Sequence, residues 1–170
     1  MVHTHKGCSP NVSKAAYLAP SAEIVGDVTL GRDASVWFNA TIRGDLAGIT
    51  IGENTNIQDN AVIHVNTDMP VFIGSNVTVA HSAVIHACTI RDCSLIGMGA
   101  IVLDGAVIQE NCLVGAGALV PPNKTYPPGS LLTGTPARVV RQLTCEEIAN
   151  LHEQPLRYVE KAREYAGEES

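Results

Sequence analysis

Aliphatic residues recur along this chain at intervals of six. Val12, Leu18, Ile24, Leu30, Val36 and Ile42 open the series, which resumes after a short insertion with Ile51, Ile57 and Ile63, and after another with Ile73, Val79 and Ile85. A last run goes Ile90, Ile96, Val102, Ile108, Val114 and Val120. Two positions before most of these stands a small residue, as in Ala22, Ala34, Ala40, Ala61, Ala83, Cys88, Ser94, Ala100, Ala106, Cys112 and Ala118. Asp33, Asn54, Asn60, Asn76, Gly99, Gly105, Asn111 and Gly117 each lie three after an aliphatic and are of the types that turn a corner. A fixed short period is the signature of stacked units that bury their apolar side against one another. Six residues suit one flat strand and one tight corner, so three units close a triangular coil and the series predicts about six coils. The aliphatics then fill a narrow core, and ordinary hairpins would need strands of more varied length.

The pattern changes after Val120. Pro121-Pro122 end the ladder, and Tyr126-Pro127-Pro128-Gly129 reads as an irregular turn. Gly134-Thr135-Pro136-Ala137-Arg138 leads into a final stretch from Val139 to Leu143. Thr144 with Glu147 three later forms a capping box that opens a helix. Pro155 predicts a break, giving one helix to about His152 and a second from Pro155 to about Ala166. The expected organisation is a solenoid over 1–143, helices over 144–166 lying along its outside, and a frayed tail over 167–170.

The period also assigns directions. Neighbouring coils stack about 4.8 Å apart. With three units per coil, Ile42, Ile63 and Ile85 are successive inward residues on one face of the prism, and the residue after each points outward. Those outward residues are Arg43, His64 and His86, so the two histidines stand one coil apart, near enough to share a metal ion. His81 follows Val79 by two and falls on the preceding face near a corner, out of reach of that pair within its own chain. A second chain packed against the pair would bring its own His81 there. Three imidazoles with an open fourth position make a catalytic site for zinc or a similar divalent ion, which lowers the pKa of a bound water to about 7. His3 and His5, in a terminus expected to be mobile, and His152, on a helix surface, fall outside this arrangement. Around the three histidines lie Arg43-Gly44-Asp45, one coil from His64, and Asn56, Gln58 and Asp59 on the preceding face. These side chains suit the work of orienting ligands or a water, while corner capping by Asn56 and an ion pair between subunits for Arg43 are the plainer roles.

Composition narrows the class. At 170 residues the chain makes one domain with a sizeable core. A net charge of −6 and an isoelectric point near 5.4 argue against nucleic acid. No apolar run is long enough to span a membrane, and the opening Met-Val-His-Thr-His-Lys is unlike a secretory signal, so a cytoplasmic location is expected. Five cysteines without a paired motif suggest no disulfide framework. Cys88 and Cys112 sit in small-residue slots as packing groups, and Cys8, Cys93 and Cys145 would be reactive only where exposed.

Arg43-Gly44-Asp45, Asn56-Ile57-Gln58-Asp59, His64, and His81 with His86 five later together resemble the signature of gamma-class carbonic anhydrases, over the chain from about Pro10 to Arg141. The resemblance implies a left-handed parallel β-helix and a homotrimer with a metal at each interface. His64 and His86 would be ligands from one subunit and His81 the ligand from the next. Gln58 would position a metal-bound hydroxide, and Asn56 would help orient carbon dioxide. Arg43 would pair with Asp59 across the interface, and Asp45 would support the ligands. The ion would be zinc, with iron or cobalt as substitutes, and the reaction the reversible hydration of carbon dioxide to bicarbonate. Leu46 departs from the best-known pattern, in which the prototype enzyme has a glutamate after the aspartate, and resembles the shorter members of the family. The stretch between His64 and Ile73 is likewise too short for the family's acidic proton-shuttle loop. Tyr158 and Tyr165 have two readings, helix packing or a place near the pocket. Three rivals remain: a metal-dependent thioesterase, a non-catalytic metal-binding trimer, and a hexapeptide acyltransferase, which needs no such set of three histidines.

Overall fold

The computed structural model describes residues 1–168. The molecule is a left-handed parallel β-helix of about seven coils followed by one C-terminal helix. Every aliphatic of the period from Ile24 to Val120 is buried, whereas Val12 and Leu18, in the first coil, are half-buried because nothing stacks beyond them. The corners follow the reading closely. Asp33, Asn54, Asn60, Asn76, Gly99, Gly105, Asn111 and Gly117 all hold a positive φ, joined by Asn39, Ser82, Cys93 and Asn123 at equivalent positions. A left-handed backbone residue at each bend is what closes a coil in so few residues, and Asn, Asp and Gly adopt it at least cost.

The solenoid runs one coil further than its aliphatic period predicts. Thr125–Tyr126 pairs with Val107–Ile108, and Ser130–Gly134 pairs with Leu113–Val114. Tyr126 and Leu132 therefore occupy inward slots six and twelve residues after Val120. The supposed irregular turn is a rung with an aromatic in place of an aliphatic. It fits because its hydroxyl, at the end of the core, donates to Ala137 O at 3.1 Å.

Three columns of outward residues define three faces. On the first, Thr41, Val62, Val84, Ile101 and Leu119 stack in successive coils. On the second, the column is Tyr17, Ser35, Asn56, Thr78, Leu95, Leu113 and Leu131. On the third it is Thr50, Phe72, Thr89, Val107 and Thr125. The terminus expected to be mobile is tied down: Val2–His3 adds a parallel strand to Glu23–Leu30, and His3 Nε2 lies 2.6 Å from Glu23 Oε2.

The tail is one helix, Cys145–Glu168, with Pro155 inside it, where two helices and a frayed segment from 167 were expected. Residues 169 and 170 of that segment lie outside the described residues. An interior proline costs a helix about 3 kcal/mol, but Leu151, Pro155, Val159 and Ala162 form one buried stripe on the solenoid. Tyr158 packs edge-on against Trp37 at 5.5 Å, and Tyr165 meets Trp37 and Tyr17 at 5.2 and 5.5 Å. Packing along the whole stripe holds the helix through the proline. No helix is long and apolar enough to cross a membrane among the described residues.

The capping box forms as expected, with Glu147 N donating to Thr144 Oγ1 at 3.2 Å and Thr144 N to Glu147 Oε2 at 2.8 Å. Arg141 grips the same carboxylate through both Nη atoms at 2.7 Å. Hydrogen bonds from Arg141 first, then from the Thr144 backbone, hold the Glu147 carboxyl down at about 2. A depressed carboxyl stabilises the fold above its ordinary pKa and loses that contribution as pH falls toward 2. Urea unfolding followed by circular dichroism should therefore show an acid-induced loss below about pH 4.5 that is smaller in Glu147→Gln. Equal losses in both proteins would remove this pair as a cause. Thr144→Ala should cost about 1 kcal/mol at pH 7 in the same measurement.

Candidate metal centre

The parallel register places Arg43, His64 and His86 one above another on the first face, as coil counting requires. His64 Nδ1 and His86 Nε2 face each other at 3.1 Å. Each histidine gives its other nitrogen to a carboxylate: His64 Nε2 to Asp45 Oδ1 at 3.0 Å, and His86 Nδ1 to Asp104 Oδ1 at 2.5 Å. An ionised carboxylate only accepts, so those nitrogens carry the protons of the neutral rings. The two facing nitrogens then present lone pairs to each other across 3.1 Å. That is a repulsive contact until a cation or proton lies between them. Two nitrogens on one tetrahedral zinc, at about 2.05 Å each, stand about 3.3 Å apart. The spacing of the pair therefore fits a divalent ion.

A backbone irregularity brings Asp45 to this place. Strand Glu23–Leu30 pairs with Thr41–Ile51, but the register jumps from Gly26–Gly44 to Val28–Ile49. Residues 45–48 therefore bulge outward opposite Asp27 alone. The bulge needs backbone against backbone: a Cβ on Gly26 would strike the Gly44 carbonyl, and one on Gly44 would strike that of Asp27. Gly26 also holds φ at +78°, a region open to glycine without strain. The Asp45 carboxylate joins His64 and the Arg43 guanidinium. Burial raises its pKa, and the hydrogen bonds from His64 and Arg43 outweigh that and hold it below the usual carboxylate range.

His81 stands apart, on the second face, with Nδ1 2.8 Å from Asp59 Oδ2. In one chain, then, Asp59 meets His81 and Arg43 meets Asp45. Asn56 and Gln58 are buried on the same second face. Asn56 donates through Nδ2 to Thr78 Oγ1 and accepts through Oδ1 a bond from Gln58 Nε2, both at 3.0 Å. Asn56 therefore aims Gln58 rather than capping a corner, and the Gln58 Oε1 atom is left without a protein partner among the described residues. Gln58, His81, Met98, Leu113 and Tyr158 line a cavity of about 300 Å³ between this face and the helix. Burial first, and then the Asp59 charge, raise the Tyr158 hydroxyl pKa. Tyr158 thus has both readings at once, packing on Trp37 and reaching the cavity, whereas Tyr165 packs in the aromatic cluster.

The site residues thus form two groups, Arg43, Asp45, His64 and His86 on one face and Asn56, Gln58, Asp59 and His81 on another. Among the described residues no three His, Cys, Asp or Glu side chains of one chain converge so as to hold a metal ion. Asp104 was missed by the sequence reading. It lies on the coil beyond His86, beside the outward position over that histidine, and the period marks only its neighbour Gly105, as the corner. The cysteines stay outside the site. Burial pushes Cys88 up to about 12 and raises Cys93 and Cys112, and Cys93 is a corner residue with φ of 55°. Cys8 and Cys145 are exposed thiols.

Comparison with known proteins places this geometry. A family model described as bacterial transferase hexapeptide (six repeats) matches residues 87–122. A probable carbonic anhydrase from Methanocaldococcus jannaschii is 53% identical over 148 residues, covering 87% of this chain and 93% of that protein. Gamma carbonic anhydrase 2, mitochondrial, of Arabidopsis thaliana is 44% identical over 168 residues, covering 95% of this chain. The chain spans about 60% of the length of that plant relative. Among solved structures, a putative acetyltransferase from Bacillus cereus superposes with a TM-score of 0.94 at 40% identity, covering 97% of this chain and 96% of that one.

Proposed function

The chain belongs to the gamma carbonic anhydrase family of hexapeptide-repeat proteins, and from that premise we propose that it hydrates carbon dioxide reversibly at a metal site shared between subunits of a homotrimer. The observation that carries this reading is the pair of imidazole nitrogens facing each other at 3.1 Å, each ring backed by a carboxylate. His64 and His86 would hold the ion from one chain and His81 from the next. A zinc, iron or cobalt ion bound there would supply the Lewis acidity that makes water a nucleophile near neutral pH.

This chain's own residues supply the rest. Gln58, aimed by Asn56, would accept a hydrogen bond from the attacking water through Oε1. Asn56 would thereby hold the carbon dioxide geometry indirectly. Arg43 engages Asp45 through Nη1, and its remaining donors are available to Asp59 of a neighbour. Assembly is supported by the outward columns. The first face carries Val62, Val84, Ile101 and Leu119, and the second carries Leu95, Leu113 and Leu131, while the third is mostly threonine. Packing the first face of one prism on the second face of the next is a head-to-tail contact, which closes into a ring when the rotation is one third of a turn. A cytoplasmic location completes the reading.

Stopped-flow hydration of carbon dioxide on protein prepared without oxygen and loaded with zinc, iron or cobalt tests it. Activity that chelation abolishes and metal restores is expected, with a trimeric mass by sedimentation. A metal-loaded trimer that is inactive on carbon dioxide would overturn the hydratase reading in favour of thioester hydrolysis or metal binding alone. Coenzyme A binding without metal would favour the acyltransferase reading, in line with the name putative acetyltransferase given to the Bacillus cereus protein.

A further inference from the structure

Two carboxylates back the histidine pair, and they do so in the same way. Asp45 gives Oδ1 to His64 and Oδ2 to the Arg43 guanidinium. Asp104 gives Oδ1 to His86 and Oδ2 to Asn66, whose Nδ2 donates at 2.9 Å. Asn66 comes from the short turn after His64 and lies 38 residues from Asp104 in sequence. We propose that Asn66 and Asp104 form a positioning relay for His86, the counterpart of Arg43 and Asp45 behind His64. The proposal rests on the metal reading above and assigns work to the turn that replaces a longer loop.

The relay works through geometry. An ionised carboxylate accepts Nδ1–H of His86, which leaves Nε2 unprotonated and directed at His64 Nδ1. Asn66 fixes the rotation of that carboxylate by occupying its other oxygen. Its own amide cannot turn over, because Oδ1 accepts the Thr67 backbone N–H at 2.8 Å. The turn itself is closed by paired backbone bonds between Asn66 and Met69, at 3.0 and 3.3 Å. Partners behind a ligand histidine are worth about ten- to a hundredfold in metal affinity.

Two substitutions separate the relay from mere turn closure. Asn66→Asp keeps an acceptor for Thr67 N–H, so the turn survives, but it sets a carboxylate against Asp104. Asp104→Asn leaves one oxygen for two donors. The first measurement is zinc and cobalt affinity by competition with a chromophoric chelator. Each variant is expected to bind about ten- to a hundredfold more weakly than wild type. The second is ¹⁵N NMR of the histidine rings in the metal-free full-length protein, with the His86 signals assigned from His86→Gln. Wild type should show His86 protonated on Nδ1 near pH 8, and both variants should shift that population toward Nε2–H. Unchanged affinity and an unchanged tautomer in both variants would overturn the relay. A wild type that binds no metal, yet shows the tautomer shift in the variants, would overturn the metal reading and leave the relay standing.

Discussion

His64→Ala and His81→Ala, each purified alone, should lose at least nine tenths of the bound metal and all measurable carbon dioxide hydration, yet recover part of both when their chains are mixed. The reason is the division of the site between two faces. His64 and His86 face each other on one side of the prism, and His81 stands on another beside Asp59. A His81→Ala chain still offers an intact pair, and a His64→Ala chain still offers an intact His81. In trimers refolded from equal amounts, about one quarter of the interfaces join an intact pair to an intact His81, given head-to-tail contacts. Metal content and initial rate should both return to about that fraction of wild type. Mixtures that stay at the level of the separate variants would rule out a site shared between chains.

Gly44→Ala should be a severely damaging place to add a single methyl group near the site. The new Cβ would meet the Asp27 carbonyl, which is backbone and has no side-chain freedom to move away. The bulge over residues 45–48 must open, and with it the contact from Asp45 to His64. A loss of about 3 kcal/mol in urea unfolding is expected, at the upper end of what point substitutions cost, with metal affinity at least about tenfold weaker. Gly117→Ala is the useful contrast. Its φ is positive, at 66°, which that of Gly44 is not, and nothing lies within 4 Å of an added Cβ, so the backbone conformation alone is penalised, by about 1 kcal/mol. Equal losses in the two variants would show that close packing at Gly44 has no special weight.

Much of the geometry of the candidate site is legible in the sequence. The stack of Arg43, His64 and His86 follows from counting, because strand alternation and coil repeat together fix which way a side chain points and what lies above it. The isolation of His81 on another face follows the same way. The count fails where a residue leaves the repeat. Tyr126 keeps the spacing of the aliphatic slots but breaks their type, so the aliphatic period ends at Val120 although the solenoid does not. The local cost of Pro155 predicts a break, and the buried stripe from Leu151 to Ala162 outweighs that cost.

The sequence by itself determined the repeat, the inward and outward assignment of nearly every residue from Ile24 to Val120, and the stacked histidine pair. These depend on periods of two and six, which are local properties of a strand and its corner. Only the tertiary structure decided which carboxylate stands behind which histidine. Asp45 reaches His64 through a bulge that two glycines permit, and Asp104 reaches His86 from a corner of the adjoining coil, steadied by Asn66 from a separate turn. Those contacts link positions 18 to 38 residues apart. They turn on side-chain rotation and backbone irregularity, and a periodic pattern specifies neither.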